Sequence, residues 1–192
     1  MTRKRWMWLA AAAAAVLLAV GAWGLIRFPP DTEPPGAYLR IANAISRGEP
    51  RTCFAYLEDQ AQHAAYTVRD YRRKARDRVE EAYPEPERTR LLEAYKADAE
   101  AADGADVFLR LANERGWITR LRRDLSGVAK VEIAGERATI ETARGTRYPF
   151  RRRDNGIWGL TLFTAELLAE SERAARDFEV VDRAAADYQR GR

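Results

Sequence analysis

The sequence predicts an α+β protein: an N-terminal transmembrane helix, then several helices packed on a four-stranded antiparallel meander, with a long C-terminal helix. Three observations predict it. An unbroken apolar run occupies Trp6 to Ile26. Apolar residues then recur at helical spacing from Tyr38 to Leu111. After Leu125 the period shortens to alternation in four short runs, before helical spacing returns beyond Thr164.

The apolar run is 21 residues long and holds no charged or polar side chain; 19 are apolar and the others are Gly21 and Gly24. At about 1.5 Å per residue a helix of that length covers roughly 30 Å, the hydrocarbon thickness of a bilayer. Trp6, Trp8 and Trp23 lie near its ends, where indole rings favour headgroups. Arg3, Lys4 and Arg5 precede it and Arg27 closes it. The N-terminal cations favour a cytoplasmic N-terminus and export of everything after Arg27. The expected location is a bacterial inner membrane, single-pass, with the C-terminal domain periplasmic or extracellular. A cleaved signal peptide is the rival, with small residues at Ala19 and Gly21 or Ala22 and Gly24, although the run is long for one.

Residues 27–36 carry four prolines and read as an extended, stiff linker. The exported α+β domain spans 37–163 and the C-terminal helix 164–192. Tyr38, Ile41, Ala42 and Ile45 predict a helix over Ala37 to Arg47, ended by Gly48-Glu49-Pro50. Cys53, Leu57, Gln60, Ala64, Val68 and Tyr71 share one helical face and predict one continuous helix after Pro50. Tyr83-Pro84-Glu85-Pro86 breaks it. A further helix is expected from Glu87 to Ala102, and a fourth through Val107, Phe108, Leu111 and Ala112, ending near Gly116.

Strands are predicted over Val128–Ile133, Arg137–Thr142, Arg147–Arg152 and Ile157–Phe163. The short gaps imply antiparallel neighbours, and Asn155-Gly156 suits a tight hairpin. Pro149 cannot donate a ladder bond and is expected at an edge or bulge. Thr164 is placed to cap the last helix. Ala174, Phe178, Val181, Ala185 and Tyr188 on that helix follow a 4-3-4-3 spacing, which suits docking within the chain or a homo-oligomer through this helix.

The whole chain has a formal charge of +4, from 33 basic and 29 acidic residues. Arg3, Lys4, Arg5 and Arg27 account for the excess, leaving 29 basic against 29 acidic residues after it. A neutral exported domain argues against nucleic acid as a partner. The single cysteine, Cys53, cannot form an intramolecular disulfide and reads as a small buried hydrophobe.

Two stretches resemble the nuclear-transport-factor-2-like (cystatin-like cone) superfamily. One is the opening helix and turn from Ala37 to Leu57. The other, Val131 to Leu160, has Gly135, Glu136 and Ala138 at a G-[DE]-x-A turn and Gly156 and Trp158 at a G-x-W strand. The resemblance implies a sheet curled around a helix, in a membrane-anchored exported member. The helical material from Gln60 to Glu114 exceeds what compact members of that family carry. The superfamily includes exported proteins of unknown function, parts of secretion machines and isomerase-type enzymes, and the fold does not choose among them.

No convergent catalytic set is legible, and no catalytic residue, metal or cofactor is assigned. His63 is the only histidine, with Asp59 four residues earlier. In a continuous helix Cys53 and His63 lie about 15 Å apart, beyond hydrogen-bond reach. Two arginine-rich stretches stand out: Arg69, Arg72, Arg73, Lys74, Arg76 and Arg78; and Arg144, Arg147, Arg151, Arg152 and Arg153. Either suits an anionic surface or a solvated face answering nearby acids. Trp117, Tyr148, Phe150 and Trp158 are core, or the lining of an apolar pocket if the cone is open. The expected function is a non-enzymatic, membrane-anchored domain that binds another envelope protein. The alternative is a small-molecule-binding or isomerase-like pocket.

Overall fold

The computed structural model describes residues 29–191. Among them no helix is long and apolar enough to cross a membrane, and the span expected at Trp6 to Ile26 lies outside them. The fold below is that of the unit beginning at Asp31.

Helix α1 runs Pro34–Ser46, so three residues of the expected linker are helical. Proline at the first helical position has φ already set and lacks only an N–H that would be unpaired there anyway. Asp31 and Thr32 are also committed: their carbonyls accept the backbone N–H of Trp158 at 3.1 Å and its indole Nε1–H at 3.1 Å. Helix α1 ends in a Schellman turn. Gly48, at φ +74°, donates to Ile45 O and Glu49 donates to Ala44 O.

The continuous helix expected after Pro50 is two elements. A 3-10 helix, Pro50–Tyr56, buries Cys53 and Phe54, and α2, Asp59–Ala82, follows. Between them Leu57 pairs in parallel with Leu160, and Glu58 N–H donates to Leu160 O at 3.2 Å. The Gln62 side chain donates to Phe54 O at 3.0 Å and Leu57 O at 2.9 Å, satisfying carbonyls that the break releases. A strand partner far along the chain thus outweighs the local 3.6-residue period.

Helix α3 spans Glu87–Ala99. Helix α4, Gly104–Glu114, is capped by Asp103, whose carboxylate accepts from Ala105 N and Asp106 N. Helix α5, Trp117–Asp124, lies where the sequence reading placed no helix; it buries Trp117, Ile118 and Leu121. Helix α6 spans Thr164–Arg190. Thr164 is its first residue rather than its cap, and its hydroxyl donates to Glu58 Oε1 instead.

Strands β1 (Val128–Ala134), β2 (Arg137–Thr142), β3 (Arg147–Arg152) and β4 (Trp158–Leu160) form an antiparallel meander in chain order. The last is shorter than expected. Ala138, Ile140, Tyr148, Phe150, Trp158 and Leu160 are buried in the main core. Pro149 sits in an inner strand, against expectation. Its carbonyl accepts from Thr161 N on the β4 side, one residue past the last β3–β4 pair. A residue's N–H and C=O face the same neighbour in a regular antiparallel strand, so no β2–β3 ladder bond is lost.

Two apolar clusters result. The larger joins α1, the 3-10 helix, the first half of α2, α4, α5, the sheet and the start of α6. The smaller joins the end of α2 to α3 and the end of α6, through Ala75, Val79, Ala82, Tyr83, Val181 and Ala185 with Leu91, Leu92, Tyr95, Phe178 and Tyr188 around them. The 4-3-4-3 face of α6 is therefore occupied from within the chain.

Candidate functional site

The break before α2 builds a polar cleft of about 340 Å³ between the Glu58–Gln60 segment and the face of β2 and β3 that points away from the core. Gly159 makes it possible. A Cβ there would lie 2.6 Å from Glu58 Cα and 2.7 Å from Glu58 N, so only glycine lets the two backbones pass this closely.

Glu58 is only 4% exposed. Its Oε1 accepts the Thr164 hydroxyl, and its Oε2 lies 3.7 Å from Arg151 Nη1, an ion pair too long to be a hydrogen bond. It stands at the N-termini of both α2 and α6, where a carboxylate is favoured by the helix dipoles. Arg137 lies directly opposite Arg151 across the β2–β3 ladder. Gln60, Thr139 and Thr161 complete the polar wall, and Pro149 supplies an apolar floor. The arrangement offers one carboxylate acceptor beside two guanidinium donors. It suits a small ligand with a donor at one end and an anionic group at the other.

The four aromatic residues read as core or pocket lining are all buried. They do not share one pocket. Trp117 stacks on Phe163 with centroids 4.6 Å apart and planes 15° apart, and Phe108 leans on both at 6.1–6.2 Å. Trp117 and Tyr148 border a cavity of about 80 Å³, far below the roughly 300 Å³ of a drug-sized ligand site. Phe150 borders the Glu58 cleft, and Trp158 is fixed by Thr32. Tyr38 rests on Tyr148 with centroids 5.5 Å apart, and its hydroxyl donates to Ser126 O at 2.6 Å. Burial raises the pKa of both phenols, that of Tyr148 to about 12, so both stay neutral.

Cys53 is buried with Sγ 3.9 Å from Ile41 O, and burial pushes its thiol up to about 12. His63 is exposed. Asp59 is held by Arg153 Nε at 2.6 Å, so the Asp–His pair suggested by spacing gives way to a cross-element ion pair. Among the described residues no group of three or more His, Cys, Asp or Glu is arranged to hold a metal.

The arginines of α2 are largely used within the fold. Arg72 pairs with Asp177 at 2.6 Å and Arg78 with Asp182 at 2.7 Å, both on α6, while Arg69 and Arg73 donate to Ala102 O and Ala99 O. In the second stretch Arg147 pairs with Glu132, Arg153 with Asp59, and Arg144 donates to Arg123 O. Arg151 is the member that faces the cleft. Sequence reasoning missed Glu58 because it sat inside an apparent helix. The available signal was its place beside Asp59, two acids in a row where a helix N-terminus favours them.

No family model, curated protein or solved structure matches this chain.

Proposed function

We propose that this chain is a membrane-anchored, exported domain of the nuclear-transport-factor-2-like type, which binds a protein partner in a cell-envelope complex and does not turn over a substrate. The observation that carries the reading is the filling of the interior. Trp117, Phe163 and Phe108 pack against one another in the interior, and the cavity beside them, about 80 Å³, is smaller than a small-molecule site requires. The apolar run at Trp6 to Ile26 and the charge balance after it support tethering and export.

The test is membrane fractionation with N-terminal sequencing, joined to alkaline phosphatase fused after Arg192. The expected result is an intact N-terminus in the detergent-soluble membrane fraction and an active phosphatase. A mature N-terminus near Gly21 to Gly24 in the soluble fraction overturns the anchor. An inactive phosphatase on a stable fusion overturns export.

A second reading, a small-molecule-binding protein, is favoured by one feature: the buried Glu58 carboxylate at the wall of a 340 Å³ cleft. Native mass spectrometry of the chain purified from its own membranes tests it. A retained small molecule lost on Arg151→Gln supports that reading, and a bare chain removes it.

A further inference from the structure

The two edges of the sheet are treated differently. On the β4 side, Trp158 N–H donates to Asp31 O and Leu160 O accepts from Glu58 N–H, so the edge is covered. On the β1 side, no described residue hydrogen-bonds to the outer flank of Val128–Ala134. Such a row of free N–H and C=O groups is a template for another strand.

The side chains of β1 narrow the choice of strand. Val131 pairs with Ile140 and Ile133 with Ala138, which places both on the core-facing side of the sheet. Yet Val131 is only half-buried and Ile133 is 60% exposed, so the apolar face runs past its cover. On the opposite face Lys130 and Glu132 pair with each other at 2.7 Å, and Arg147 joins Glu132 at 2.8 Å.

We infer that β1 pairs antiparallel with β1 of a second copy, joining two sheets into one of eight strands about a two-fold axis through Val131. The inference rests on the reading of the domain as an assembly module and names its partner. A two-fold axis normal to the sheet keeps core-facing residues on one side. Facing residues must therefore be an even number of positions apart. Three registers near the strand centre satisfy this. Centring on Lys130 sets Lys130 against Lys130, and centring on Glu132 sets Glu132 against Glu132, both repulsive. Centring on Val131 sets Val131 against itself and Lys130 of each copy against Glu132 of the other. The two in-chain Lys130–Glu132 pairs then close into a ring of four alternating charges. The exposed Ile133 of each copy falls beside the Ala129 bulge of the other, extending the apolar face across the junction. An edge lysine alone repels a copy of itself; Glu132, two residues on, makes one register attractive.

The full chain in detergent micelles provides the test. Residues facing each other across an antiparallel pair have Cα atoms about 4.5–5.5 Å apart, within disulfide range. Val131→Cys is therefore expected to give a covalent dimer on mild oxidation, while the native chain, with Cys53 buried, gives none. Lys130→Glu is expected to weaken dimerisation roughly tenfold by sedimentation, because two facing pairs become repulsive. Lys130→Glu with Glu132→Lys restores it, since the swapped charges again face opposites. Both positions are exposed, so neither variant threatens folding. A native chain that stays monomeric up to about 100 µM overturns the inference, as does a dimer indifferent to the charge swap and uncrosslinked at position 131. These readouts do not depend on whether the N-terminal segment is cleaved, so failure of the anchor and failure of the dimer are told apart.

Discussion

Around the sheet, the interior is made of large side chains pressed together: Trp117 on Phe163, Phe108 on both, Tyr38 on Tyr148, and Phe54 against Phe108. In the helical extension, the end of α2 meets the end of α6 through small residues, Ala75, Val79, Ala82, Val181 and Ala185, and the larger rings, Tyr83 on Tyr188 and Tyr71 on Phe178, sit along its margin. There the contact is bordered by ion pairs, Arg72–Asp177 and Arg78–Asp182, and by Tyr83 donating its hydroxyl to Val181 O at 3.1 Å. Both pairs are only partly buried, and solvent at the aspartate ends screens them, so each contributes on the order of 1 kcal/mol. One region is held by buried volume and the other by a thin apolar seam with a charged rim, so the extension is the part expected to open first.

The largest test of that contrast is Trp117→Ala. Emptying a buried, stacked indole site is expected to cost about 3–5 kcal/mol in urea unfolding and to loosen the whole sheet region. Val181→Ala is expected to cost about 1–2 kcal/mol. Its effect in amide hydrogen exchange is confined to the end of α2, α3 and the end of α6. Uniform acceleration across the sheet would show the two clusters to be one cooperative unit.

The smallest effect needs only a reagent. The Cys53 thiol is pushed up from its ordinary 9.0 to about 12 by burial. The thiol is neutral when protonated, so this contributes stability below about pH 9 that is lost as pH rises toward 12. Alkylation at pH 8 is expected to be slow in the native chain and unchanged by Val181→Ala, but fast in Trp117→Ala. Equal acceleration by both variants would erase the distinction between the regions.

Signals that act over a few residues were readable in the sequence. The meander followed from alternation at Ala138–Ile140 and Tyr148–Phe150 with Asn155-Gly156 between strands, and the end of α1 from Gly48. Features set by distant partners were hidden. Leu57 and Glu58 leave the helical path because Leu160 hydrogen-bonds there, and Thr164 gives its hydroxyl to Glu58, 106 residues away, rather than to its own helix. The α2 arginines could be set only against nearby acids, because Asp177 and Asp182, the partners of Arg72 and Arg78, lie 104–105 residues further on. The same break hid the Glu58 cleft, whereas the burial of Trp117, Tyr148, Phe150 and Trp158 was legible from their aromatic character alone.

The clasp of Trp158 on Asp31 and Thr32 bears on the order of events during synthesis. The first residues of the domain are fixed by its last strand, and Leu57 waits for Leu160 in the same way. Pairings this far apart slow folding, because closing so long a loop costs chain entropy before the contact repays it. A nascent chain that has not yet delivered Trp158 can pair β1, β2 and β3 but lacks the strand that holds Asp31, Thr32 and Leu57. The residues before α1 and the turn before α2 therefore take their final places only once β4 is available, so the two ends of the domain are locked together through one short strand.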